Sequence, residues 1–228
     1  MNPIYSSPYA HTVSDSSEER KLAGKLRKET AEIHQIANTH PFAQSIINGC
    51  VSISGYTQHL IDLFNVFRSL EESIWNNASS NRIGPLLIPE VFRAEKLSQD
   101  IAVLEGDREQ PLTAAKNYVA HLHTIAQTKP HGLIGHAYTN YLGLFFGGRQ
   151  FSDSVAQQFG DNAVSYYNFD ELCQTNQLKS PMSYVRTFRE ILSSLPLTDN
   201  EEREVLEEAN TAFGFWIEMF NGVQAPLL

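Results

Sequence analysis

The amino-acid sequence predicts an all-α protein that folds as a single helical bundle. After residue 18, apolar residues recur at spacings of three and four almost to the end of the chain, as they do on one face of a helix. No stretch alternates apolar and polar side chains as a half-buried strand does. The chain has 228 residues, 42% of them hydrophobic, which is enough to bury one substantial core. We therefore predict one helical domain over residues 19–224, preceded by a disordered polar tail over residues 1–18.

Proline, glycine and capping residues predict where each helix begins and ends. The first helix covers about residues 22–37 and ends before Pro41, because proline cannot continue a helix. Gly55 precedes a second helix, and Asn, Ser, Gly and Pro then mark a loop over residues 76–89. Thr198 and Glu201 have the spacing of a capping box and begin a last helix that ends near Gly222. Between these, helices are predicted over residues 92–106, 111–127, 130–159 and 182–194, with an irregular polar stretch at 160–180.

Charge and cysteine content exclude several classes of partner and location. A formal net charge of −9 argues against a nucleic-acid partner, which would need a basic surface. No segment approaches the ~18 apolar residues of a membrane span, and no basic start followed by an apolar run marks a secretory signal. Two cysteines, Cys50 and Cys173, are too few for a disulfide framework. These features predict a cytoplasmic protein without a membrane span.

A glycine-rich helical segment at residues 136–150 is the most informative feature of the chain. Gly143, Gly147 and Gly148 fall within six positions, although each glycine costs a helix roughly 1 kcal/mol relative to alanine. The pattern predicts an interrupted, bent helix whose backbone a large flat ligand approaches. Its Gly-x-x-x-Gly spacing also fits close packing between two helices. Leu144 leaves this segment without a polar side chain at its centre.

A second signal lies on the first predicted helix. Arg27, Thr30 and His34 share one face, because seven residues span about two helical turns. An imidazole that ligates iron and a guanidinium two turns away would suit heme, whose carboxylates lie at one edge of the ring. The same spacing is typical of a histidine at the boundary of a core, so both interpretations stay open on spacing alone.

Other metal and nucleotide chemistries are disfavoured. His121 and His123 are two apart on a helix and point to different sides. None of the eight histidines follows a glutamate by three residues, as a di-iron carboxylate centre requires. The run from Gly143 to Gly148 follows no strand and lacks the spacing of a dinucleotide fingerprint.

Five segments, in chain order, closely resemble the heme oxygenases: LRKETAEIHQIAN, LFNVFRSLEESI, PEVFRAEKLSQDI, LIGHAYTNYLGLFFGGRQ and EEANTAF. The resemblance covers roughly residues 20–222, and its most specific parts are the histidine segment and the AYTxYLGxxxGG segment. It implies an all-α fold that holds heme between the first helix and the glycine-rich helix. The family reaction it implies is oxidative cleavage of heme to biliverdin, carbon monoxide and iron, with electrons from a separate reductase.

The resemblance also implies roles for individual residues. His34 takes the place of the proximal iron ligand, and Gly143 and Gly147 lie where the backbone contacts the porphyrin. The other positions that match the family's heme pocket are Arg27 and Arg189 beside the propionates, Tyr138 near that edge, Thr30, and the aromatic residue Phe213.

Departures from the family pattern concentrate on the distal side of the heme. The family has an aspartate that organises water and helps to activate oxygen, and Leu144 stands at that position. An arginine, a tyrosine and an asparagine of the family's water network correspond here to Asn140, Phe64 and Trp216. An apolar pocket neither holds ordered water nor delivers protons. We therefore assign no catalytic residue, and we expect a heme site whose oxygen chemistry is impaired.

Smaller departures point in the same direction. Val185 replaces a propionate-binding lysine, with Arg186 as a neighbouring cation that could compensate, and Asn38 replaces a glutamate one turn after the proximal histidine. Phe146 and Trp216 are large enough to fill space that heme or oxygen would need. The alternative from a different class is a non-catalytic protein, either a heme carrier or sensor or a pseudoenzyme that binds another protein.

A cysteine-dependent enzyme is the weakest alternative. The resemblance places this helical fold among thiamin-degrading relatives, which use a cysteine nucleophile. Cys173 lies in the irregular stretch and Cys50 follows the first helix, and neither has an obvious acid or histidine partner in sequence.

Overall fold

A computed structural model of the protein describes residues 21–104 and 110–223, apart from the side chains of residues 146, 147 and 149. These residues form helices, turns and no strand, which confirms the all-α prediction. The described α-helices, in chain order, are α1 (Leu22–Glu29), α2 (Ala31–Asn38), α3 (Pro41–Ile47), α4 (Ile53–Asn76), α5 (Ala94–Val103), α6 (Thr113–Thr128), α7 (Leu133–Phe159), α8 (Asp170–Thr175), α9 (Tyr184–Ser194) and α10 (Asp199–Gly222). Among them, no helix combines the length and the apolar character needed to cross a bilayer.

Some boundary predictions lie outside the described residues. The predicted tail over residues 1–18 does, and so does the predicted end of the third helix near Gly106. The start of the last helix agrees with the prediction from its capping residues. Thr198 and Glu201 form the predicted capping box, in which the side chain of each residue bonds the backbone N–H of the other.

The predicted first helix is two helices, α1 and α2, separated at Thr30. The Leu26 carbonyl accepts both the backbone N–H of Thr30, at 3.0 Å, and its hydroxyl, at 2.8 Å. A threonine hydroxyl that bonds back onto the preceding turn often bends a helix. The backbone ladder nevertheless continues, because the His34 N–H donates to the Thr30 carbonyl at 2.9 Å.

The structure contains a helix, α3, that the sequence pattern does not predict, because Pro41 indicates only the end of the preceding helix. Proline also suits the first position of a helix, where its missing N–H is not needed. His40 caps this helix by accepting the Phe42 N–H on its Nδ1 atom at 3.2 Å.

The glycine-rich segment lies within α7, which is helical without a break for 27 residues. The prediction of one helix that carries the glycines and continues to about residue 159 is therefore confirmed, and the bend at the glycines stays a prediction. Propensity is a weak force beside tertiary packing, and Tyr141, Leu142 and Phe145 bury their side chains from this same segment. The glycines shape the surface of α7 instead of ending it.

Residues 160–180, predicted to be irregular and polar, fold back onto the core. They contain two short 3₁₀ turns and α8, and they bury Tyr166, Phe169 and Leu172. The buried Asp100 holds this stretch, because its carboxylate accepts the backbone N–H groups of Ser165 and Tyr166 at 2.8 Å each.

Helices α7 and α10 pack against each other at backbone distance. A Cβ atom added at Gly135 would lie 2.5 Å from the carbonyl oxygen of Val205 and 2.6 Å from the backbone nitrogen of Ala209. The Thr139 hydroxyl, one turn later on α7, donates to the Ala209 carbonyl at 3.2 Å. Only glycine permits this approach at position 135.

A buried arginine and glutamate join α4 to the start of α5. Arg93 is 2% exposed and stacks on Phe169, with its guanidinium carbon 4.1 Å from the ring centroid. The Glu71 carboxylate accepts the backbone N–H groups of Arg93 and Ala94. Burial raises the pKa of Glu71 from 4.5 to about 7, although these hydrogen bonds and the charge of Arg93 oppose the rise.

We expect Gly135→Ala to lower the free energy of unfolding by about 1–3 kcal/mol, because its methyl group meets backbone atoms that cannot rotate away. The matched control is Gly214→Ala on α10, where an added Cβ meets no atom within 4 Å. That variant should be unchanged or more stable by up to about 1 kcal/mol. Denaturant titration followed by circular dichroism measures both, and equal stabilities would contradict the close approach.

We also expect Glu71 to make stability depend on pH between about 4.5 and 7. In this window folded Glu71 keeps a proton that the unfolded chain has lost, so the free energy of unfolding falls as pH rises. Glu71→Gln should flatten this slope, whereas Glu72→Gln, at a side chain 61% exposed, should keep it. Denaturant titrations across the window test the difference, and parallel profiles for wild type and Glu71→Gln would refute it.

Candidate functional site

Four of the predicted site residues meet where α1, α7 and α9 converge. Thr30 is 2% exposed, and its hydroxyl donates to the Leu26 carbonyl at 2.8 Å. Burial raises the pKa of Tyr138 on α7, and the nearby side chain of Thr30 opposes the rise. The positive charges of Arg189 on α9 and Arg27 on α1 oppose it as well, so both guanidinium groups lie near enough to act on this hydroxyl. We refer to the two arginines, with Tyr138 and Thr30, as the cationic edge.

His34 and Phe213 meet where α2 packs on α10. The two rings lie edge to face, with centroids 5.5 Å apart and planes at 75°. Burial lowers the pKa of His34, which favours the neutral imidazole at neutral pH. Neutral imidazole is the form that ligates a metal ion. The contact with Phe213 fixes the ring of the predicted axial ligand on one side.

The surface of α7 is open at Gly143. Gly143 is exposed, and an added Cβ would meet no atom within 4 Å. Gly147 lies one turn later on the same face of the helix, although its surroundings are outside the described residues. A flat ligand can therefore approach the α7 backbone at this point without meeting a side chain.

The distal positions divide into two groups. Leu144 and Phe64 are half-buried apolar side chains packed against the core. Asn140 is 1% exposed and accepts the indole N–H of Trp216 on its Oδ1 atom at 3.1 Å. The expectation that Phe146 fills the slot concerns a side chain outside the described residues.

Trp216 also packs into an aromatic cluster of α4 and α10. Its indole ring lies 5.9 Å from the ring of His59 and 5.6 Å from that of Phe220, measured between centroids. The aromatic contacts and the hydrogen bond to Asn140 together hold the indole in one orientation.

A directed chain of hydrogen bonds continues from Asn140 into the bundle. An indole N–H only donates, so the Asn140 atom that faces Trp216 is the oxygen. The Asn140 amide nitrogen therefore donates to the Tyr118 hydroxyl at 2.9 Å and to the His136 carbonyl at 2.8 Å. The Tyr118 hydroxyl can then donate to Nδ1 of His136, 2.9 Å away.

The chain ends at Glu208 on α10. Since His136 accepts at Nδ1, its proton lies on Nε2, which faces Glu208 Oε2 at 3.0 Å. Nε2 of His121 reaches the same oxygen at 2.7 Å. Burial lowers the pKa of His136. Burial would raise the pKa of Glu208, but hydrogen bonds from both histidines outweigh it and hold that pKa below its usual value.

The sequence does not predict this network, because the contacts between its members join three different helices. Glu208 falls in the charged run from Glu201 to Glu208, which is typical of a solvated helix face, and His121 and His123 point to different sides of their helix. The one available signal was the register of the apolar stripes, which places Tyr118 and His136 on inward faces of α6 and α7.

Two of the smaller departures now have a structural setting. Val185 is buried at 5% exposure, while Arg186 is exposed and pairs with Glu190 one turn later at 2.9 Å. Arg186 therefore lies on the solvent-facing side of α9, and its role beside a heme carboxylate stays a prediction. Asn38 is exposed at the end of α2.

Neither cysteine has the setting of a nucleophile. Cys50 is exposed, and Cys173 is partly buried on α8. Burial and the nearby Asp170 raise the pKa of Cys173, which lowers the fraction of reactive thiolate.

Comparison with known proteins identifies the family. The heme oxygenase family model matches residues 20–222. Heme oxygenase 1 of Homo sapiens is 32% identical over 216 residues, which cover 90% of this chain and 73% of the human protein. Heme oxygenase 2 of Synechocystis is 30% identical over 210 residues, which cover 89% of this chain and 83% of that protein. The chain belongs to the heme oxygenase family.

The structural comparison agrees. The crystal structure of heme oxygenase-2 from Synechocystis in complex with heme and NO matches with a TM-score of 0.83 at 29% sequence identity. The match covers 89% of this chain and 85% of that one. The resemblance drawn from the sequence segments and the predicted fold class are therefore both confirmed.

We expect Tyr118→Phe to lower the free energy of unfolding by about 1–3 kcal/mol, because Asn140 and His136 each lose a buried hydrogen-bond partner. The control is Tyr166→Phe, since the buried Tyr166 hydroxyl has no hydrogen-bond partner within the described part of the chain. Tyr166→Phe should match wild type or be slightly more stable. Thermal and denaturant unfolding compare the two, and an equal loss in both would argue against the directed network.

Proposed function

We propose that this chain binds heme in the slot between α1 and α2 on one side and α7 on the other, with His34 as the axial ligand of the iron. The observation that carries the proposal is the cationic edge around Tyr138, to which Arg27 and Arg189 both contribute. Heme is a flat apolar ring with two carboxylates at one edge, and it needs this combination of an imidazole and two cations. The relative from Synechocystis was crystallised with heme, which supports the same ligand here.

Each part of the slot has one task in this proposal. The neutral imidazole of His34 ligates the iron, and Phe213 orients that imidazole. Gly143 and Gly147 leave the α7 backbone accessible to the face of the ring. Arg27 and Arg189, together with Thr30 and Tyr138, bind the carboxylates. Bound heme would supply an iron centre that reacts with oxygen when a reductase provides electrons.

We further propose that this chain cleaves heme slowly, because the described side chains of the distal wall, those of Leu144, Phe64, Asn140 and Trp216, offer no mobile proton. Leu144 and Phe64 have no polar hydrogen. The single N–H of the Trp216 indole is donated to Asn140, and the two amide hydrogens of Asn140 are donated to Tyr118 and His136. Proton delivery by positioned groups typically contributes 10²–10⁴-fold to a rate, so its loss slows the family reaction by a similar factor.

The second candidate function is a non-catalytic heme carrier or sensor. It is favoured by the same observation, since a distal wall whose donors are all paired inside the protein would hold heme without processing it. The two functions differ only in whether biliverdin forms under turnover conditions.

Heme binding is tested by titrating the purified protein with hemin and following the Soret band. Wild type should bind one equivalent, and His34→Ala should lose the band of the histidine-ligated iron, because the axial nitrogen is gone. The control is His123→Ala, an exposed histidine on α6, which should titrate like wild type. Unchanged spectra for His34→Ala would remove His34 as the ligand, and no band in wild type would remove heme binding.

Heme cleavage is tested by adding a reductase system to the heme complex and following biliverdin absorbance. Leu144→Asp should raise the rate by about tenfold or more, since an ionisable group restores water binding and proton transfer beside the slot. Leu144→Asn, polar but not acidic, should raise it less. Fast cleavage by wild type would contradict the proposed role of the apolar wall. If Leu144→Asp also gives no biliverdin, the heme carrier is the better description.

A further inference from the structure

A cluster of three potential metal ligands lies where the middle of α6 meets α7 and α10. The cluster consists of His121 on α6, His136 on α7 and Glu208 on α10, and we refer to it as the His–His–Glu cluster. One ligand atom from each residue lies within 4.8 Å of the other two. Two of the separations are 2.7 Å and 3.0 Å, both to Glu208 Oε2.

We propose that the His–His–Glu cluster binds one zinc ion. Each histidine contributes Nε2 and the glutamate contributes a carboxylate oxygen. Zinc takes such ligands at about 2.0–2.2 Å, which places the ligand atoms of a tetrahedral site roughly 3.3 Å apart. The separations of 2.7 Å and 3.0 Å to Glu208 Oε2 need to widen by about 0.6 Å and about 0.3 Å to admit the ion.

The cluster leaves one coordination position open toward solvent. The His136 side chain is 0% exposed, whereas those of His121 and Glu208 are 28% and 19% exposed. Zinc can therefore enter from the surface, and water can complete the tetrahedron. Three protein ligands and one open position are typical of an exchangeable or catalytic zinc site.

Charge distinguishes Glu208 from the neighbouring carboxylates of α10. Glu201 pairs with Arg82 at 2.9 Å, and Glu204 pairs with Lys129 at 2.8 Å. Within the described ranges, Glu208 pairs only with imidazoles. The Glu208 carboxylate therefore has no lysine or arginine partner among the described residues, unlike Glu201 and Glu204, and it faces two imidazole nitrogens instead.

The surrounding hydrogen bonds already hold one ligand in place. Histidines that bind zinc usually have their second nitrogen hydrogen-bonded, which fixes the ring. Here Nδ1 of His136 faces the Tyr118 hydroxyl at 2.9 Å. On binding, zinc takes the Nε2 lone pairs of both imidazoles, so the proton that His136 carries on Nε2 in the metal-free network moves to Nδ1. The His136 proton then points to the Tyr118 oxygen, and no net charge is added to either ring.

Zinc binding to the heme-free protein tests the proposal. Competition with a chromophoric chelator should show one tight equivalent for wild type. Either His121→Gln or Glu208→Gln should weaken that equivalent at least tenfold, because one of three ligands is lost. The matched control is His123→Gln, an exposed histidine two residues away on α6, which should leave the affinity unchanged. His121→Gln carries the test because His121 is only partly buried, and circular dichroism confirms that each variant is folded.

Cobalt substitution identifies the coordination directly. A visible band of tetrahedral intensity should form with one equivalent of Co²⁺ and disappear in His121→Gln. Excess Mg²⁺ should not compete, since imidazoles favour zinc and cobalt over magnesium. Absence of a tight equivalent, equal affinity in His121→Gln and wild type, or displacement by Mg²⁺ would each overturn the site. Since no heme is present, none of these outcomes depends on the proposed function.

Discussion

Backbone contact between α7 and α10 determines the geometry on which both candidate sites depend. At Gly135 the two helices lie too close for any side chain. From there they continue side by side in the same direction, so His136 meets Glu208 and, one turn later, Asn140 meets Trp216. The spacing between these helices therefore sets the distance across the distal wall and the distance across the His–His–Glu cluster.

The same network explains why Asn140 and Trp216 are polar yet have their hydrogens bound within the protein. Asn140 and Trp216 are polar, but they satisfy each other and the residues behind them. A buried donor left without a partner would destabilise the fold, so these groups turn inward. Polar composition at a site is therefore a poor guide to its chemistry unless the partner of each hydrogen is known.

Much of the fold could be predicted from the sequence, because apolar periodicity and capping signals are local. The capping box at Thr198 and the helical character of residues 136–150 both followed from neighbouring residues. The continuous helix through Gly143 and Gly147 also depends on tertiary packing, which local propensity does not include. Of the cationic edge, Arg27 and Thr30 follow from helical spacing, whereas Arg189 and Tyr138 are implied only by the family resemblance. The network through Tyr118 was not foreseen, because it depends on contacts between helices far apart in sequence.

The break at Thr30 places the two groups that a heme site requires, a cation and an axial ligand, on separate helices. Helix α1 carries Arg27 and is held by α9 and α10, whereas α2 carries His34 and packs on α10. In a single straight helix, the position of the His34 imidazole would be fixed relative to that of the Arg27 guanidinium. With the break at Thr30, the direction of His34 relative to Arg27 depends on the bend between α1 and α2 and on the separate contacts of each helix with α10. Two short helices, each held by its own contacts, therefore place the imidazole and the guanidinium.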